Sequence, residues 1–547
     1  MYIILLLFSL FSCHVQFIKM NVFTSVSKLE QLARDEQEML ASLEIYIRDS
    51  ETGGIEVPEN VKRFYNDLLD TSVRTIQEHF MENPINAFHF IHRMHVTWPT
   101  VITTIDCEQC TLTTPLIDFK ARLSGIEEQS DIQVTSEDLQ WSAMAVVRLW
   151  QTYKLHLPSL FRGHILNAST NPLSFEDILY ICNQLDFRND FYKEIVWLKA
   201  LLKEMTNNKL YNDKEVTRVI KQMAGAYSKY GMPWESVDLL EKLITTANAN
   251  DHAKLKRDLA FYRTKIKDDS EREIELKPSE VDLAKLHYEA LCRGHVTRKR
   301  KILSRLRCIH RKTSVPIYRV KEEILNYDPR VSLFHQVLTN TEITGIKDQA
   351  MKMLRTSSIV GDGPRQSLKE FNYRVSQTAW LPDHSSDLVK SVSNRIELIT
   401  GLSTQQFRSF SHAEDLQVLN YGVGGMYEAH LDCLNALIHI NPVRAEDTVF
   451  LRGTGDRVST WMFYLNDVQA GGATVFLDLN ITVPVEKGAA VFWYNIRRNG
   501  EIDERTRHAG CPVLIGSKWV ANKWIRQHGQ IFRRKCGKNI NSIDTRL

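Results

Sequence analysis

The sequence predicts an α+β multidomain chain, helical through its first half and β-rich toward its C-terminus. Three observations carry this. At 547 residues the chain is too long for one core and should divide into about three or four domains. Apolar residues recur at three- and four-residue steps through the first half, the period of helices. After about Pro329, short β-type runs separated by turn residues take over.

The first residues, MYIILLLFSLFSC, fit the apolar core of a secretory signal peptide, so 1–16 are expected to be removed. The alternative is an N-terminal core helix. Removal takes Cys13 with it and leaves eight of nine cysteines, an even number suited to disulfides in an oxidising compartment. The sequons at Asn167 and Asn480 agree with that route. The final Ser-Ile-Asp-Thr-Arg-Leu is no retrieval tetrapeptide, so residence in the endoplasmic reticulum lumen would need another tether. No later apolar run approaches the ~18 residues of a membrane span. The hydrophobic share of 43%, charged share of 25% and net charge of +3 describe an ordinary globular chain without a strong electrostatic preference.

Residues 17–135 read as an N-terminal helical region. Leu29, Leu32, Met39, Leu43 and Tyr46 form a heptad-like seam that Glu36 interrupts. The seam suits pairing with another helix or packing within its own domain. Cys107 and Cys110 follow, close enough for a local disulfide. Residues 136–266 read as a second helical domain, in which Ala224, Tyr227 and Gly231 close one helix and Trp234 to Ile244 supply the next. Small residues at the crossing and Gly at the turn resemble one tetratricopeptide unit, a peptide-binding module or a purely structural bundle.

Residues 267–283 are charged and contain Pro278, a linker composition. The basic run between Cys292 and Cys308 is read as a solvated loop, and no nucleic-acid partner is expected. Strands are expected over Leu416 to Tyr421, Thr460 to Asn466, Thr474 to Leu477, Ala489 to Trp493 and Lys518 to Ile525. Many short strands in 284–547 suggest a jelly roll or barrel.

Within that region stand His430 and Asp432, one residue apart, then His508 and Lys518. Residues i and i+2 of a strand point the same way. Two imidazoles and one carboxylate can hold one face of Fe(II) and leave the others open to co-substrate and dioxygen. On the last strand Lys518, Val520, Asn522 and Trp524 share a face. A buried lysine there is satisfied if it meets the far carboxylate of an organic diacid. An uninterrupted hairpin at Gly516-Ser517 would instead carry Lys518 away from His508, unless Gly510 and Pro512 break the strand. Spacing alone leaves open an iron oxygenase, another metal enzyme or no metal.

The stretches NYGVGGMYEAHLD, STWMFYLNDVQAGGATVF, GAAVFWYN, RHAGCPVLIGSKWVANKWI and GQIFRRKC resemble the catalytic half of the collagen prolyl 4-hydroxylase alpha subunit family. EDLQWSAMAVVRLWQTYKL resembles the segment leading into that family's peptide-substrate-binding domain. The resemblance implies a double-stranded β-helix catalytic domain, a tetratricopeptide-like substrate domain and an N-terminal dimerisation region. It implies Fe(II) on His430, Asp432 and His508, and 2-oxoglutarate on Lys518 with Tyr421 and Thr474 as companions. L-ascorbate is implied as the agent that rescues over-oxidised iron. Tyr427 and Trp524 are expected to line the site or simply to pack. The implied reaction hydroxylates peptidyl proline at C4 in proline-rich, procollagen-like chains, releasing succinate and carbon dioxide. Disulfides Cys292–Cys308 and Cys511–Cys536 are implied. So is protein disulfide isomerase as beta subunit, in a tetramer of two alpha and two beta subunits, with isomerase supplying retention. The rival is a catalytically silent peptide-binding paralogue. Gly225 and Ser228 stand where the family's groove would carry tyrosines, which bears on substrate length and affinity.

Overall fold

The structure, a computed structural model, describes residues 22–23, 25–75, 79–107, 112–130, 132–207, 211–246, 252–266, 275–278, 283–356, 375–407, 411–434 and 453–537. The expected signal segment, most of the linker, and Cys110 lie outside them.

The first helix, Val26–Thr52, buries Leu29 and Leu32 in one core with Met81, Ile85 and Leu139, and Leu43 and Tyr46 in another with Val61 of Glu59–Thr75 and Phe119 and Leu123 of Thr114–Gln129. The seam therefore packs within this chain, its second half on its own domain and its first half also toward 136–266. Glu36 interrupts it for a reason: its buried carboxylate accepts from Arg93 Nε at 2.7 Å, Arg93 Nη2 at 2.8 Å and Trp98 Nε1 at 3.0 Å. A buried charge held this way is fully hydrogen-bonded. Cys107 is disulfide-bonded.

Capping boxes start the helices Ser136–Tyr153, Phe175–Phe187 and Asp213–Tyr230, through Thr135 with Asp138, Ser174 with Asp177 and Asn212 with Glu215. Phe175–Phe187 packs on Phe191–Asn207, and Asp213–Tyr230 packs on Pro233–Thr246, with His252–Arg263 beyond. Gly231, at φ +98°, gives the second hairpin its left-handed stop. Two successive helical hairpins thus stand where the sequence made one clear.

The β-rich region begins earlier than Pro329, with strands Cys308–Lys312 and Arg319–Tyr327. Cys308–Lys312 is an edge strand with mostly exposed side chains, so it carries no apolar alternation to read. Among the described residues nine strands form one sheet, in the order Cys308–Lys312, Arg319–Tyr327, Arg330–His335, Ala490–Tyr494, Arg457–Tyr464, Lys518–Arg526, Leu416–Tyr421, Gln377–Leu381, Arg355–Thr356. Four shorter strands form a second, ordered Ile481–Val483, Thr474–Phe476, His508–Gly510, Tyr427–His430. All these pairings are antiparallel. Each anticipated strand is present, to within three residues at either end.

The implied disulfides need correction. Cys292 bonds to Cys511, with Cα atoms 5.6 Å apart, while Cys308 and Cys536 are free and exposed. The helix Leu283–Cys292 lies over the short sheet and buries Cys292 with Val475, Leu477, Ala509 and Cys511. Cys308 opens an outer edge strand and Cys536 follows the last strand at the surface, so neither approaches this cluster.

Candidate active site

The two sheets face each other across a pocket that opens to solvent. Lys518, Val520, Asn522 and Trp524 all line it, as the alternation of the last strand requires. The hairpin problem resolves through a change of sheet. His508–Gly510 belongs to the short sheet, Val513–Ile515 pairs separately with Ala470–Gly471, and Lys518–Arg526 lies in the long sheet. His508 and Lys518 therefore reach the same pocket from opposite walls.

On the short sheet His508 pairs directly with His430, bringing their rings to 4.3 Å between centroids. His430 Nε2 is 3.6 Å from Asp432 Oδ1, and His508 Nε2 is 3.9 Å from Asp432 Oδ2. One ligand atom from each of the three lies within 4.8 Å of the others, close enough to share one ion. Each histidine Nδ1 meets a backbone carbonyl: His430 that of Glu428 at 2.7 Å, and His508 that of Thr506 at 3.0 Å. Nδ1–H donation there leaves the Nε2 lone pairs facing the carboxylate, the tautomer a metal requires. Burial and the neighbouring His430 lower His508 to about 4, so it is neutral at physiological pH. Burial opposes the charge on Asp432, yet His508, His430 and Arg457 hold its carboxyl well below the usual range. This donor set fits Fe(II), with two imidazole Nε2 atoms and an ionised carboxylate on one side of the pocket.

The opposite end is built around Lys518. It is buried, its Nζ donates to Thr474 Oγ1 at 3.3 Å, and no carboxylate among the described residues pairs with it. Burial lowers its ammonium to about 7. Tyr421 is its cross-strand partner and lines the pocket with Thr474. Tyr427 stacks on His430 at 3.6 Å, and Trp524 lies under the Arg457 guanidinium at 3.5 Å. Both aromatics line the pocket and pack at once.

Sequence reasoning missed the residues behind these. Thr460 donates to Asp432 Oδ2 at 2.6 Å and accepts from Asn495 Nδ2 at 2.9 Å. Tyr464 donates to Thr474 Oγ1 at 3.0 Å. Alternation along the Arg457–Tyr464 strand puts Thr460, Met462 and Tyr464 on one face, a signal that was available. Cys433, beside a candidate ligand, is buried with its thiol pushed up by burial and donates to Asn495 O at 3.4 Å. It is thus no reactive thiolate.

Comparison with known proteins agrees with this geometry. A family profile for the prolyl 4-hydroxylase alpha-subunit N-terminal region matches residues 25–167, and one for the 2OG-Fe(II) oxygenase superfamily matches residues 416–526. The chain is 31% identical to prolyl 4-hydroxylase subunit alpha-1 of Bos taurus, covering 94% of this chain and 95% of that one. The Homo sapiens protein of the same name gives the same figures. Among solved structures, the viral collagen prolyl hydroxylase of Paramecium Bursaria Chlorella virus-1, in complex with 2OG, is 21% identical. It covers 36% of this chain and 95% of its own, with a TM-score of 0.27, too low to bear on the fold.

Proposed function

The chain belongs to the prolyl 4-hydroxylase alpha-subunit family, and from that premise we propose that its pocket hydroxylates peptidyl proline at C4 with Fe(II), 2-oxoglutarate and dioxygen. One observation carries the reading: a two-histidine, one-carboxylate cluster and a buried lysine without a carboxylate partner among the described residues line a single pocket. His430, Asp432 and His508 would hold the iron. When bound, iron supplies oxygen activation coupled to oxidative decarboxylation of 2-oxoglutarate to succinate and carbon dioxide. Lys518 grips the distal carboxylate of 2-oxoglutarate, restoring a counter-charge to its buried ammonium. Thr474 already accepts from both Tyr464 and Lys518, so its own hydroxyl proton is free for that carboxylate, with Tyr421 alongside. Thr460 and Asn495 orient Asp432. Met426, Trp493 and Trp524 restrict water around the reacting centre.

The finer reading rests on family membership together with this fold. Residues 284–547 are taken as a double-stranded β-helix (jelly roll), supported by two facing antiparallel sheets. Residues 136–266 are taken as a tetratricopeptide-like domain for proline-rich, procollagen-like peptide, supported by the consecutive helical hairpins. Protein disulfide isomerase is the proposed beta subunit, in a tetramer of two alpha and two beta subunits within the endoplasmic reticulum lumen, with L-ascorbate as reductant. Dimerisation through 17–135 would use a face other than the internally buried seam.

The test is to co-express the chain with disulfide isomerase and follow carbon dioxide release from 2-oxoglutarate. Release is expected only when a Pro-Pro-Gly-type peptide is added. Equal release with and without peptide would sink the hydroxylase reading, and absence of both release and 2-oxoglutarate binding would favour a silent paralogue.

A further inference from the structure

The four principal site residues hang from three turns, and each turn is held from outside by the helical half of the chain. The glycine turn Gly422 to Gly425 leads into the strand of His430. Gly424 takes φ +69° there, its N–H donates to Val513 O at 2.8 Å, and its carbonyl accepts from Arg148 Nη1 at 2.9 Å. The helix Ser136–Tyr153 lies so close that a Cβ on Gly424 would meet Ala145 Cβ at 2.7 Å. The same helix reaches the turn that follows His508, where Tyr153 Oη donates to Pro512 O at 2.5 Å. The third turn, immediately before Lys518, is held by Glu82: its carbonyl accepts from Gly516 N at 2.9 Å and its carboxylate from Ser517 Oγ at 3.2 Å.

We propose that Arg148, Tyr153 and Glu82 are positioning residues for the oxygenase pocket, through which the helical half sets the separation between the metal cluster and Lys518. The inference rests on the iron and 2-oxoglutarate reading above. Its physical basis is the geometry a divided site demands. His430 and His508 stand on the short sheet and Lys518 on the long one, so strand pairing alone does not fix their spacing, which rests on contacts between the sheets, through Thr474 and Thr460, and on what holds the turns. A helix bonded to the turns of both ligand strands, and a second contact at the lysine turn, add to those links from outside the pocket. Outer partners that orient ligands are typically worth ~10–100-fold in metal affinity.

The contacts divide by function, which makes the proposal testable without turnover. The full chain, co-expressed with disulfide isomerase, is titrated anaerobically with Co(II) and then with 2-oxoglutarate, following absorption, and melting temperature is recorded beside each titration. Arg148→Met and Tyr153→Phe are expected to weaken Co(II) binding about tenfold, with Arg148→Lys recovering part of the loss. Glu82→Ala is expected to leave Co(II) affinity unchanged and raise the 2-oxoglutarate requirement about three- to tenfold. Wild-type affinities in all variants would overturn the proposal. So would parallel losses of both ligands that track melting temperature, since that is general loosening. If the wild-type chain binds neither probe, the iron and co-substrate reading falls, and this inference with it.

Discussion

Among the regions that bury a charged side chain, the N-terminal helical core and the β-rich pocket treat it in opposite ways. In the N-terminal helical core, Glu36 receives three hydrogen bonds, two of them from the Arg93 guanidinium. In the β-rich pocket, Lys518 is equally inaccessible but has a threonine hydroxyl and two aromatic faces, Tyr421 and Tyr464, about it. A buried charge neutralised by its own chain is a structural element. A buried charge lacking a counter-ion costs stability unless a ligand supplies one. The pocket thus carries an electrostatic deficit at one end, facing a cluster that can hold a cation at the other.

The sharpest way to break this contrast is to remove each charge. Glu36→Ala strands Arg93 in a poorly hydrated place, and a loss of about 3–5 kcal/mol is expected in urea denaturation. A loss under ~1 kcal/mol would mean the pair adds nothing to the helical core. Lys518→Met should act with the opposite sign in the protein without co-substrate. The native ammonium titrates at about 7, below its unfolded value near 10.5. Its penalty is therefore complete below pH 7 and fades as pH rises toward 10.5. Lys518→Met is expected to stabilise by on the order of 2–4 kcal/mol at pH 6, with the gain vanishing toward pH 10.5. Destabilisation at pH 6 would show that Lys518 has a partner within the fold.

Glu194 offers a milder variant with the reverse pH dependence. It is buried between the helical hairpins, accepts from Gln222 Nε2 at 2.9 Å and leaves its other oxygen without a hydrogen-bond partner among the described residues. Burial raises it to about 7 from 4.5. Its penalty is absent below pH 4.5 and complete above about 7. Glu194→Gln should then stabilise by about 1–2 kcal/mol at pH 8 and have no effect at pH 4. A gain independent of pH would assign the effect to packing.

The same contrast explains what the sequence disclosed. His430, Asp432 and His508 were legible because ligand chemistry restricts residue type, although Asp432 lies just past the end of the strand that carries His430. The face shared by Lys518, Val520, Asn522 and Trp524 was legible from alternation alone. Convergence of Lys518 with His508 was not, because it depends on a switch between sheets at 511–517. Thr460, Tyr464 and Asn495 are common residues in apolar strands, informative only once the pocket side of each strand is known. The disulfide joins residues 219 apart through the packing of a helix on the short sheet, a relation no local spacing encodes. The role of Glu36 was hidden likewise, since its partners lie 57 and 62 residues downstream.

The most direct test of the account is to titrate 2-oxoglutarate anaerobically into the metal-loaded chain, comparing wild type with Lys518→Met by absorption. Wild type should bind, and the variant should bind about 10–100-fold more weakly while its metal affinity is retained. Equal binding by both, or loss of metal together with 2-oxoglutarate, would contradict the assignment of Lys518 as the counter-charge that completes this pocket.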